Sequence, residues 1–149
     1  MKLSLSYQDL GAVFSTVLPI SDKIIETVSF DTRKITDGSN SLFFALKGNF
    51  RDGHDYVEEA YKKKVRTFVV SDASRFKQLD AVFIETDDPL NALQLLAKNH
   101  REKFNYPIIG ITGSAGKTSL KEYLSFFLKK KYKVSASIKS YNNNLGVMI

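Results

Sequence analysis

The chain has 149 residues, 43% of them hydrophobic and 26% charged, a globular mixture that excludes pervasive disorder. It has no cysteine and two histidines, which excludes a disulfide framework, a thiolate metal site and a histidine-rich metal centre. Lys plus Arg number 22 against 16 Asp plus Glu, and the resulting +6 suits a polyanionic partner without choosing among nucleic acid, acidic lipid and a phosphorylated small ligand.

The clustered lysines narrow that choice. Lys62, Lys63 and Lys64, and Lys129, Lys130, Lys131 and Lys133, fall late in predicted helices, where cations suit the negative end of the macrodipole. They read as solvated helix ends rather than a nucleic-acid patch. Met1 is not followed by a basic start and apolar run, and no apolar stretch reaches the length of a membrane span, so a cytoplasmic address is expected.

Ser6 with Asp9 forms a capping signal, and Leu10, Val13, Phe14 and Val17 recur at helical spacing, which predicts a short first helix. The run from Ile24 to Phe30 is β-rich and ends at the polar Asp31-Thr32-Arg33, predicting one strand. Leu42 to Leu46 predicts a second strand covered on both faces. A loop from Gly48 to Gly53 follows, then a helix from about Asp55 to Lys64 and a strand from Val65 to Val70.

Ala81 to Glu85 predicts a further strand, and Asp88-Pro89 reads as an N-cap with proline in the first helical position. Leu90, Leu93, Leu96, Ala97, His100 and Phe104 continue that helix along one stripe. After Pro107, Ile108 to Thr112 predicts a strand that runs into a glycine-rich turn, a helix from Ser119 to Lys130 and a last strand from Tyr132 to Ile138. The rhythm is α/β, with a boundary expected near Asn105-Tyr106-Pro107 and a second unit holding few elements. Unpaired edges at 108–112 or 134–138 predict self-association.

Thr112-Gly113-Ser114-Ala115-Gly116-Lys117-Thr118 stands between an apolar strand and an amphipathic helix, the setting of a phosphate-binding loop. Its glycines let backbone N–H groups face a phosphate beside the helix N-terminus, Lys117 supplies an ammonium, and the Thr118 hydroxyl suits Mg²⁺. Ile111 occupies the position of the first glycine in the general G-x-x-x-x-G-K-[ST] form, so the motif is the shorter T-G-x-x-G-K-T. A plain strand-to-helix turn is the alternative, and the Lys-Thr pair argues against it.

The segment Gly110 to Thr118, Lys121-Glu122 after it, and Tyr141-Asn142-Asn143-Asn144-Leu145-Gly146-Val147 resemble the start of the ATP-binding domain of the Mur ligase family. Phe30-Asp31-Thr32-Arg33, Ser41 to Gly48 and Asp52-Gly53-His54-Asp55-Tyr56 resemble the amino-terminal, UDP-binding domain of the same enzymes. The two sets occur in the family's order and span nearly the whole chain. Within the family the wording is similar to the branch that adds D-alanyl-D-alanine to UDP-N-acetylmuramoyl-tripeptide, including members fused to an alanine racemase.

The resemblance implies a mixed-sheet UDP-binding domain over residues 1–105, and over 106–149 the first part of a P-loop α/β ATPase domain. It implies ATP and Mg²⁺ as cofactors, UDP-N-acetylmuramoyl-tripeptide and D-alanyl-D-alanine as substrates, and a role in peptidoglycan precursor synthesis, with the 149-residue chain alone inactive. Gly113, Ser114, Ala115, Gly116, Lys117, Thr118 and Ser119 are the expected nucleotide-binding residues, Lys117 the catalytic one and Thr118 the metal ligand. Asp31, Thr32, Arg33, Phe44, Lys47, Gly48, Asn142 and Asn143 are the expected substrate-binding residues.

Other readings stay open at this point: a sibling ligase adding a single amino acid, a different P-loop phosphotransferase, or a non-catalytic module for a UDP-linked ligand. Taken without the resemblance, Asp31 with Arg33 also reads as a surface turn held by an ion pair, and Asn142-Asn143 as a polar loop. His54 reads equally as a residue that orients a loop or touches the substrate and as a hydrogen-bonded loop histidine at a helix start, with no catalytic role assigned, and His100 as a structural histidine on a helix stripe.

Overall fold

Three parallel ladders join β3 (Thr27–Ser29), β4 (Ser41–Phe44), β5 (Thr67–Val70) and β6 (Val82–Glu85) into a four-stranded sheet in that order. The computed structural model describes residues 4–137 and divides into two compact units, Met1–Arg101 and Glu102–Ile149. The first unit holds this sheet. Every residue of β4 and β5 is buried, as expected of central parallel strands covered on both faces.

The pleat sorts the core. Phe43, Ala45, Phe68 and Val70 face Val57 and Ala60 of α2 (Val57–Lys62), together with Ile35, Val65 and Phe76. Register places Phe43, Phe68 and Phe83 side by side on three strands, so Phe43 meets Phe68 edge-on at 6.1 Å and Phe68 stacks on Phe83 at 5.2 Å. Phe76 extends the row, stacked on Phe83 at 5.6 Å. On α1 (Tyr7–Phe14), the Tyr7 hydroxyl meets Thr67 Oγ1 at 2.7 Å inside the fold.

Local chemistry explains most element boundaries. The Ser6–Asp9 capping box starts α1 as the sequence predicts, and Ser15 ends it in a left-handed conformation, so Val17 is fully exposed rather than helical. Asp88 Oδ1 accepts the Leu90 and Asn91 amides at 2.8 and 3.3 Å and starts α3 (Pro89–Glu102), which buries Pro89, Ala92, Leu93 and Leu96. Asp31, Asp37, Asp52 and Asp72 each accept the amide two residues on, so one short polar motif sets several loop exits.

The expected strand from Ile24 to Phe30 is two strands. β2 (Ile24–Ile25) pairs antiparallel with β1 (Leu5–Ser6), whereas β3 joins the parallel sheet. The break falls at Glu26, where the Asn40 carbonyl accepts both the Glu26 and Thr27 amides, at 2.9 and 3.2 Å. The helix expected from Asp55 to Lys64 begins as a tight 3-10 turn, Gly53–Tyr56, before α2 proper.

In the second unit, α4 (Lys117–Leu128) forms as predicted, beginning two residues earlier. The strands expected at 108–112 and 132–138 do not form among the described residues, and Ile108 and Ile109 are 65% and 59% exposed. A strand needs a ladder partner, which an apolar run cannot supply by itself. The sheet edges expected to drive self-association are therefore not formed among the described residues. No helix among them is long and apolar enough to cross a membrane.

Candidate functional site

Ligands of open parallel sheets gather at the carboxyl ends of the strands, where loops diverge. In the first unit, β3 and β4 deliver there most of the residues singled out by sequence. Asp31 caps a 3-10 turn, Thr32–Lys34, by accepting the Arg33 amide at 3.1 Å. The same carboxylate receives Arg33 Nε and Nη2, each at 2.9 Å. The side-chain hydrogen bond from Arg33 is the main reason that the Asp31 carboxyl lies below the ordinary range. The guanidinium is 79% exposed, so a fixed fork faces solvent.

Thr32 is buried, and its carbonyl accepts Lys63 Nζ at 2.7 Å. Phe44 is fully buried, so its side chain belongs to the core. Past β4 the chain makes a hairpin: Lys47 pairs antiparallel with Asp52, and the Gly48 amide donates to the Arg51 carbonyl at 2.8 Å. Lys47 and Gly48 are exposed. A Cβ on Gly48 would meet nothing nearer than Arg51 O at 3.4 Å, so the position is open to a close approach.

Sequence reasoning undervalued Gly53 and His54 below that hairpin. A Cβ on Gly53 would lie 2.5 Å from Leu46 N and 2.7 Å from Ala45 C, so only glycine lets the hairpin return across the end of β4. His54 is buried, with Nδ1 2.5 Å from Asp52 Oδ1 and Nε2 accepting the Ser71 amide at 2.9 Å. These bonds assign a neutral ring with its proton on Nδ1. Burial pushes the Asp52 carboxyl upward, but the backbone and side-chain hydrogen bonds of His54 outweigh it and hold the carboxyl below its ordinary range.

Ser71 Oγ also lies 3.1 Å from His54 Nε2, giving an Asp52–His54–Ser71 chain that resembles a nucleophilic triad. The amide of Ser71 already occupies the Nε2 lone pair, so the imidazole cannot take the hydroxyl proton. The group is a structural tie rather than an activated serine.

In the second unit, the turn before α4 has Gly113 at φ 148° and Gly116 at φ 74°, values that side chains rarely adopt. Gly116 is the N-cap of α4, and no side chain caps this helix, in contrast to α1 and α3. No side-chain cap meets the first amides of α4, such as those of Lys117 and Ser119, so this positive end of the helix suits an external acceptor. Lys117 Nζ folds back over the turn onto the carbonyls of Gly113 and, at 3.5 Å, Ser114.

The turn Gly113, Ser114, Ala115 and Gly116 is exposed to solvent, with Lys117 half-buried beneath it. This donor set fits a phosphate group. No cluster of three or more His, Cys, Asp or Glu residues able to hold a metal occurs among the described residues; at this turn the Thr118 hydroxyl is a hard oxygen that suits Mg²⁺. Asn142 and Asn143 lie outside the described residues.

Residues 24–101 match the model of the Mur ligase family, catalytic domain. A UDP-N-acetylmuramoyl-tripeptide--D-alanyl-D-alanine ligase of Rickettsia prowazekii is 38% identical over 122 residues, covering 82% of this chain and 26% of the relative. Its namesake in Bacillus subtilis is 35% identical over 124 residues, covering 83% and 27%. The solved structure of MurF from Acinetobacter baumannii superposes with a TM-score of 0.84 at 25% identity, over 99% of this chain and 32% of that one. MurF ligase from Thermotoga maritima, in complex with ADP, gives 0.71 at 25% identity over 87% and 29%. The chain therefore spans between a quarter and a third of the length of these relatives. With a family model matched over more than half of its residues, in an α/β fold shared with solved members, the chain belongs to the Mur ligase family.

Proposed function

We propose that this chain is part of an ATP-dependent ligase that joins D-alanyl-D-alanine to UDP-N-acetylmuramoyl-tripeptide in peptidoglycan precursor synthesis. In that reaction the γ-phosphoryl of ATP passes to the tripeptide carboxylate, giving an acyl phosphate and ADP. The dipeptide amine then attacks the acyl carbon, phosphate leaves and the amine loses a proton. Residues 1–105 form the UDP-substrate domain in this reading and residues 106–149 belong to the ATP-binding domain. Consumption of ATP and a UDP-linked sugar puts the reaction in the cytoplasm.

The observation that carries this reading is the uncapped start of α4 behind a turn with two glycines at positive φ. There the amides of Gly113 to Ser119 would hold the phosphates and the Lys117 ammonium would neutralise charge developing on the γ-phosphoryl. The Thr118 hydroxyl would help hold Mg²⁺, which would supply positive charge to neutralise the phosphates. At the sheet's carboxyl end, Arg33, Lys47 and Gly48 would grip the diphosphate, Asp31 would fix Arg33, and Thr32 and Phe44 would support the wall from within. The relatives named above carry the dipeptide-adding name, which favours that branch over ligases adding one amino acid.

Titration with a fluorescent ATP analogue tests the phosphate site. Lys117→Ala is expected to weaken binding by about a hundredfold, the loss of one charge-assisted contact of about 3 kcal/mol. Equal affinity in wild type and variant would remove Lys117 from the site.

A further inference from the structure

His54 ties two loops together, and the tie determines where the hairpin stands. The last ladder bond between β4 and β5 runs from the Ala45 amide to the Val69 carbonyl at 2.9 Å. Beyond it the chain leaves the sheet as the hairpin from Lys47 to Asp52, whose foot closes on itself through the Gly53 amide and the Leu46 carbonyl at 2.8 Å. The imidazole reaches sideways from this foot. Asp52 Oδ1 accepts both the His54 amide, at 2.9 Å, and Nδ1, while Nε2 accepts the Ser71 amide at the exit of β5.

The ring has little freedom to rotate. It is 3% exposed and stacks on Phe76 at 6.4 Å and 11°, at the end of the aromatic row that runs through Phe83 and Phe68 to Phe43. A rigid core is thereby coupled to the one exposed loop that carries Lys47 and Gly48. Lys47 has no ion-pair or hydrogen-bond partner for its ammonium among the described residues, so its position depends on its backbone.

We infer that His54 is a positioning residue for the UDP-linked substrate: it sets the hairpin so that Lys47 and Gly48 meet the diphosphate, without touching the ligand itself. This inference rests on the proposed UDP site. The acceptor at Nε2 carries the effect, because its bond to the Ser71 amide links the hairpin foot to the exit of β5. Ser71 contributes through its backbone amide, and its hydroxyl is dispensable.

Calorimetric titration of the 149-residue chain with UDP, alongside the fluorescent ATP analogue and thermal melting, tests it. His54→Phe keeps the ring and its stack on Phe76 but loses both hydrogen bonds, and is expected to weaken UDP binding about tenfold, as a misplaced binding group does. ATP-analogue affinity should stay at the wild-type value. His54→Gln, which restores an acceptor for the Ser71 amide, should recover most of the UDP affinity, and Ser71→Ala should match wild type. A folded His54→Phe with unchanged UDP affinity, or a Ser71→Ala as weak as His54→Phe, would overturn the inference. Should His54→Phe melt before titration, the Gln variant decides: UDP affinity as low as that of a folded His54→Ala contradicts a role for the acceptor. Wild-type protein that binds no UDP would instead sink the substrate-site reading on which this one stands.

Discussion

Asp31 and Arg33 form a two-point fork, with Nε and Nη2 of the guanidinium each 2.9 Å from the carboxylate that also caps their own 3-10 turn. The pair is local and exposed, so as an ion pair it adds little to stability. Its consequence is geometric: an arginine side chain that would otherwise sample many rotamers is held in one. Asp31→Ala should cost about 1 kcal/mol through the lost cap. It should also weaken UDP binding about fivefold by releasing the pre-set guanidinium. Urea unfolding and calorimetry read the two effects separately, and unchanged UDP affinity would show that Arg33 needs no such holding.

Gly53 is required by contact rather than by backbone conformation. Its added Cβ would sit 2.5 Å from Leu46 N and 2.7 Å from Leu46 O, both backbone atoms of the β4 exit that cannot swing aside. Gly53→Ala should therefore destabilise the first unit by about 1 to 3 kcal/mol, the usual range for overpacking, measured as a lower urea midpoint.

Lys64 ends α2 in the left-handed region at φ 70°, with its amide on the Tyr61 carbonyl and the Val65 amide on the Ala60 carbonyl. Glycine is the ordinary occupant of that position in this helix-ending motif. Lys64→Gly should stabilise the chain by about 1 kcal/mol, the relief of a left-handed side-chain residue. A fall in melting temperature would contradict the assignment of strain.

Acid should loosen the loops before the core. The carboxyls of Asp31, Asp37 and Asp72 are lowered chiefly by side-chain hydrogen bonds from Arg33, Ser39 and Ser74, and Asp52 is lowered by His54 against the upward push of burial. A depressed carboxyl gives stability that is complete above its unfolded value, about 3.9, and is lost as pH falls through the lower folded value. Unfolding midpoints should thus hold steady down to about pH 5 and drop below about pH 4. Asp52→Asn should show a smaller drop than wild type, since its cap no longer titrates.

Much of this was legible beforehand because it is written in local chemistry. The Ser6–Asp9 box, the Asp88-Pro89 start of α3, the buried runs of β4 and β5 and the glycine turn before Lys117 each depend on residues within a few positions of one another. What escaped depends on distant partners. The split at Glu26 is set by the Asn40 carbonyl, and His54 owes its role to Ser71, which no spacing rule connects to it. The run from Ile108 to Thr112 had the composition of a strand and no strand beside it among the described residues. Of the candidate site, the full burial of Phe44 was not legible for a related reason: it is set by the strands on either side of β4 and not by the motif in which the residue stands.

Amide chemical-shift mapping of the chain addresses both proposed phosphate-binding stations at once. UDP should move the resonances of Arg33, Lys47 and Gly48 and leave Gly113 to Ser119 unmoved, and Mg-ATP should do the reverse. Shifts from Mg-ATP with none from UDP at any concentration would contradict the first station, and the converse would contradict the second.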